Sequence, residues 1–105
     1  MLLVYTTWPD DETAQKAART IIGERLAACA NILAPMRSLY RWQGAVEVAE
    51  EIPVLFKTHE AGGQLLAERL AELHPYAVPA IVILKADAFG PFAAWVQEAC
   101  APAEG

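Results

Sequence analysis

From Val46 to Thr58 the chain runs thirteen residues in near-strict alternation, with Val46, Val48, Ile52, Val54 and Phe56 on one side and Glu47, Glu51, Pro53 and Lys57 on the other; only Glu50 breaks the apolar row. Alternation with a period of two marks a β-strand. At about 3.3 Å per residue it spans roughly 43 Å. A globule of 105 residues has a radius of gyration of about 13 Å, hence a diameter near ~33 Å. The strand is therefore predicted to overhang its own subunit. Its hairpin partner runs from Ala27 to Arg41, interrupted near Pro35, and Trp42-Gln43-Gly44-Ala45 supplies the turn. Tyr40 and Trp42 then sit at the tip of an exposed ribbon, a sticky edge unless another chain covers it. The expectation is a homo-oligomer in which the ribbon lies on a neighbour.

The rest of the chain supplies the body to which this ribbon attaches. Leu2 to Thr7 is apolar and β-branched, as in a strand buried on both faces. Pro9-Asp10-Asp11-Glu12 opens a helix, with carboxylates to accept its first free amides, and Ala14, Ala17, Ala18, Ile21, Ile22 and Leu26 form its inner stripe. Gly62-Gly63 starts a second helix with Leu66, Leu70 and Leu73 inward, Val78 to Ala86 is a further strand, and Gly90-Pro91 begins a last helix. Strand, helix, hairpin, helix, strand is the split βαβ arrangement. The predicted fold class is α+β: a ferredoxin-like βαββαβ sandwich on an antiparallel sheet, with an extended β-hairpin and an additional C-terminal helix. Residues 1–100 read as a single domain and 101–105 as a short flexible tail.

Composition excludes several function classes. Eight basic against thirteen acidic residues give a net charge of −5, which repels phosphate backbones, so no nucleic acid is expected as partner. No apolar run approaches the ~20 residues that span a bilayer, so no membrane association is expected. Two well-separated cysteines, Cys29 and Cys100, indicate neither a zinc ribbon nor a disulfide framework and suit a reducing, cytoplasmic setting. There is no Gly-x-Ser-x-Gly elbow, phosphate-cradling glycine loop or calcium-loop spacing. No catalytic residue is assigned and an enzyme is not expected.

The chemistry concentrates at Leu73-His74-Pro75-Tyr76-Ala77-Val78-Pro79, where a helix ends against two prolines. Proline disfavours the α region for the residue before it, so His74 stands at a rigid corner. The negative end of the helix dipole favours a proton or a metal ion there. His74 could ligate copper or zinc, or could simply satisfy free carbonyls at the helix end. Cys29 offers a soft sulfur suited to Cu(I), or is an inert thiol in an apolar run. Arg25 and Lys57 could hold an anion or form ordinary ion pairs. Tyr40, Trp42 and Tyr76 could line a pocket between subunits or act as interface anchors. His59 reads as part of a solvated turn.

Four blocks, Arg25-Leu26-Ala27-Ala28-Cys29-Ala30-Asn31-Ile32, Ser38-Leu39-Tyr40-Arg41-Trp42-Gln43-Gly44, Lys57-Thr58 and His74-Pro75-Tyr76-Ala77-Val78-Pro79, together resemble the CutA divalent-cation-tolerance family in order and spacing. The resemblance implies a ferredoxin-like subunit, a homotrimer built by strand pairing between subunits, and a part in the response to metal ions, with weak copper or other divalent-metal binding. His74 is the metal-site residue it points to, and Cys29, by its soft sulfur, is the other candidate ligand. Where family members carry a glutamate after the second proline, a cysteine in the first strand and a second histidine beside the first, this chain has Ala80, Thr6 and Leu73. The other function class compatible with this architecture is a PII-like trimeric regulatory module that binds a small ligand between subunits, in clefts lined by Arg25, Lys57 and Tyr76.

Overall fold

The computed structural model describes residues 1–101. Five strands and three helices follow one another as β1 (Leu2–Trp8), α1 (Asp11–Gly23), β2 (Cys29–Ile32), β3 (Met36–Trp42), β4 (Ala45–Thr58), α2 (Gly63–Leu73), β5 (Ile81–Lys85) and α3 (Gly90–Ala99). The sheet order is β2-β4-β1-β5, with β3 paired to β4 beyond the end of β2. Every pairing is antiparallel. This is the ferredoxin-like α+β sandwich with a ribbon, β3 and the first half of β4, running past the body. The molecule measures 44 × 25 × 23 Å with a radius of gyration of 14.2 Å, so the overhang inferred from strand length is present. No helix among the described residues is long and apolar enough to cross a membrane.

The junction between body and ribbon is set by two prolines. The Pro53 carbonyl accepts from the Leu33 amide at 2.9 Å, so Pro53 presents its missing N–H on the same side, at the gap between β2 and β3 that Pro35 opens. Each strand thus tolerates its proline because the other is interrupted there. At the tip, β3 and β4 are joined by two residues with positive φ, Gln43 at 50° and Gly44 at 82°. That geometry matches the right-handed twist of a hairpin.

Helices α1 and α2 cover one face of the sheet. Asp10 caps α1, its Oδ1 accepting from the Thr13 amide at 2.7 Å. The stripe Ala14, Ala17, Ala18 and Ile21 packs on Val4, Trp8, Val54 and Phe56, joined by Leu66 and Leu70 from α2. Ile22, expected inside, is 37% exposed. Helix α1 stops at Gly23 and closes in a Schellman-type turn, with Leu26 N–H to Ile21 O and Arg25 N–H to Ile22 O. Arg25 occupies the left-handed position of that turn at φ 60°. Its guanidinium donates to the carbonyls of Glu98, Ala99 and Cys100, so it caps the C-terminus of α3 from outside.

Other expectations needed correction. The fifth strand begins at Ile81, not at Val78, because Pro79 holds the preceding segment in an irregular extended path. Strand β4 is not one-sided in the ribbon or where it enters the body: Ala45, Val46, Glu47 and Val48 are all exposed in the former, and Glu51, Ile52, Pro53 and Val54 are all buried in the latter. His59 is 6% exposed and does not face solvent. It packs against Gly62, where a Cβ would stand only 2.6 Å from its Nε2. Of the expected tail 101–105, the Ala101 amide donates to the Arg25 carbonyl at 2.8 Å, and residues 102–105 lie outside the described residues.

Candidate functional site

His74 follows the last residue of α2 in extended conformation, as Pro75 requires. Its ring is buried and stacks on the indole of Trp8, with centroids 4.1 Å apart and planes 24° off parallel. The Tyr76 amide N–H donates to Nδ1 at 3.2 Å. The ring proton therefore sits on Nε2, which donates to the Thr7 carbonyl at 2.7 Å. A chain of polar contacts continues inward: Trp8 Nε1 donates to Thr6 Oγ1 at 2.7 Å, and Thr6 Oγ1 donates to the Val54 carbonyl at 3.0 Å. His74 is thus a rivet between the proline corner and β1, with both nitrogens engaged.

The corner delivers Tyr76 to a groove of about 520 Å³ on the sheet face away from α1 and α2. Tyr5, Met36, Tyr40, Trp42, Glu51 and Tyr76 are its principal walls. The Tyr76 hydroxyl donates to Glu51 Oε2 at 3.1 Å, and the Tyr5 hydroxyl lies 3.7 Å from Met36 Sδ. Burial, then the adjacent Glu51 carboxylate, push the Tyr76 phenol up to about 12. The phenol remains a protonated donor across the neutral range, and its bond to Glu51 is lost only as pH climbs through that value. Glu51 is 8% exposed.

Cys29 lies elsewhere. It is opposite Lys57, which in turn faces Leu3, whereas His74 binds at Thr7; four residues of β1 separate the two levels, about 13 Å along the strand. Burial raises the Cys29 thiol above its ordinary range, with Lys57 partly opposing. Among the described residues no three His, Cys, Asp or Glu side chains converge in a way that could hold a metal ion. Within one subunit His74 and Cys29 therefore do not share a site, and the His74 ring already has a partner at each nitrogen. Within one subunit Arg25, Lys57 and Tyr76 point to different neighbours. Arg25 is committed to α3, Lys57 Nζ lies over the Phe92 ring at 5.5 Å, and Tyr76 belongs to the groove.

The sequence offers Tyr40, Trp42 and Tyr76 as pocket-lining residues or interface anchors, and Tyr5, Met36 and Glu51 were missed as neighbours of these rings. Tyr5 was legible in principle, being on the odd face of β1 opposite the core residues Val4, Thr6 and Trp8. Glu51 required the register of β4 against β3, where it faces Met36.

An antiparallel β2-β4-β1-β5 sheet under two helices, with a projecting ribbon and an aromatic groove along it, is a ferredoxin-like arrangement. The family model of CutA1 divalent ion tolerance protein matches residues 2–99, and the chain belongs to that family. It is 47% identical over 87 residues, 83% of this chain and 84% of the relative, to the divalent-cation tolerance protein CutA of Pyrococcus horikoshii. The crystal structure of CutA1 from the same organism superposes with a TM-score of 0.92 at 40% identity, covering 97% of this chain and 100% of the other. The PII-like protein CutA from a Nostoc species, in its apo form, gives 0.90 at 29% identity, covering 96% and 98%. The family is named for ion tolerance and not for a reaction.

Proposed function

We propose that this chain is a non-enzymatic, homotrimeric divalent-cation tolerance protein, acting in the cellular response to metal ions. Family membership supports the cation role. The observation that carries the assembly is the ribbon face formed by Leu39, Val46 and Val48, which are 67%, 62% and 60% exposed. Val82 and Leu84 of β5 add half-exposed apolar surface on the sheet. Surface of this kind on an extended two-stranded arm demands cover, and a sister copy with the same face is the nearest occupant. Sedimentation equilibrium at micromolar concentration is expected to return three times the chain mass; a stable monomer would sink the reading.

Copper is the metal we assign, bound weakly through His74 or, separately, at Cys29, with a neighbouring subunit completing the ligand set. Ligation at Nε2 has to displace the Thr7 carbonyl, and ligation at Cys29 has to expel a proton held by burial, which accounts for weakness. Calorimetric titration with Cu(II) is expected to give a smaller heat for His74→Ala than for the wild type, and a smaller heat as pH falls because a ligating imidazole must be unprotonated. Equal heats for both proteins would remove His74 as a ligand.

A second reading is favoured by the groove itself. Its volume lies in the ordinary range for small-molecule sites, and a structural relative is described as PII-like. On this reading the trimer is a regulatory module whose groove takes a small ligand between subunits.

A further inference from the structure

We propose that the groove binds a small organic ammonium ion, its charge placed over the rings of Tyr40, Trp42 and Tyr76 and balanced by Glu51. This deepens the small-ligand reading of the same groove and rests on it.

The first argument is the segregation of charge across the ribbon. In register, Met36 faces Glu51, Ser38 faces Ala49, Tyr40 faces Glu47 and Trp42 faces Ala45. Since side chains alternate along a strand, these eight share the groove side. Arg37, opposite Glu50, and Arg41, opposite Val46, project from the reverse. The groove side of the ribbon therefore carries two carboxylates and no base. The groove wall contains neither lysine nor arginine.

The second argument is the state of Glu51. A carboxylate offers about four acceptor positions, and at 8% exposure this one has the Tyr76 hydroxyl as its side-chain partner. It forms no ion pair among the described residues. A buried carboxylate without a cation is costly, and a ligand ammonium supplies the missing charge.

The third argument is the chemistry of the walls. Tyr and Trp rings present negative faces to a cation, and the Met36 thioether adds polarisable surface. A divalent metal would need several oxygen or nitrogen ligands, whereas the groove offers one carboxylate. Phosphates and carboxylates would meet Glu51 without any compensating base. A weakly hydrated ammonium, primary or quaternary, fits both the rings and the charge, and the volume of about 520 Å³ admits it.

The test is calorimetry at constant ionic strength with choline, its neutral isostere 3,3-dimethylbutan-1-ol, ATP and citrate. Choline is expected to bind at least tenfold more tightly than the isostere. Glu51→Gln, which retains an acceptor for Tyr76, and Trp42→Leu, at a position 44% exposed and outside the core, are each expected to weaken choline at least tenfold. Equal binding of choline and its isostere, or choline binding untouched by both substitutions, overturns the proposal. Binding of ATP or citrate with choline inert overturns it while leaving the small-ligand reading of the groove intact. Silence from all four probes removes both.

Discussion

Replacing Leu39 by lysine together with Val48 by glutamate is expected to dissociate the proposed trimer to monomers at micromolar concentration, an apparent loss of about 3 kcal/mol or more. The two residues face each other directly across the ribbon. A lysine and a glutamate so placed attract across the strands, so the ribbon keeps its local stability in the free subunit. Both native side chains are more than half exposed there, and no core contact is lost. Packed against a sister chain, the same pair would have to shed its water, and the attraction between the two charges does not recover that penalty. Sedimentation velocity reads the change, and far-ultraviolet circular dichroism checks that the subunit is still folded. A trimer of unchanged affinity would mean that this face of the ribbon lies outside the interface.

His74→Ala is expected to destabilise the fold by roughly 2–4 kcal/mol, because one substitution removes three interactions. Trp8 loses the ring stacked on it, the Thr7 carbonyl loses its donor, and the Tyr76 amide loses its acceptor. Urea denaturation at fixed protein concentration measures the difference. Detection of the Nε2–H tautomer by nitrogen NMR of the wild type tests the same geometry without any substitution. A loss below about 0.5 kcal/mol, the low end of what one hydrogen bond contributes, would show that the ring is held by neither bond. His74 thereby acts on the groove indirectly: it fixes the corner from which Tyr76 reaches Glu51.

Local chemistry made most of the fold legible. Asp10 before the alanine-rich stripe, the two-residue Gln43–Gly44 turn and the paired prolines around His74 each specify a short-range geometry that the structure contains. Sequence failed where an outcome depended on a distant partner. Glu51 alternates like a solvent-facing strand residue, yet it stands opposite Met36 of β3 and meets Tyr76 from the proline corner, and no local pattern reveals either neighbour. Ile22 fits the helical stripe by spacing, but it lies at the margin of the buried face and stays 37% exposed. His59 reads as a polar loop residue and is buried because Gly62 allows the close approach. The groove suffered in the same way, since its rings come from β1, β3 and the proline corner, and no window of sequence brings them together.

The Arg25 clasp bears on the order in which the subunit matures. Its guanidinium closes on carbonyls 73 to 75 positions further along, and the entropy of closing a loop rises with its length. A nascent polypeptide can wind α1 and pair the hairpin long before that clasp has anything to grip. Until residues 98 to 100 emerge, Arg25 holds its left-handed backbone without the compensating bonds. The clasp is thus a long-range latch that can close only once α3 has been made, whereas the core cluster draws on no residue of α3.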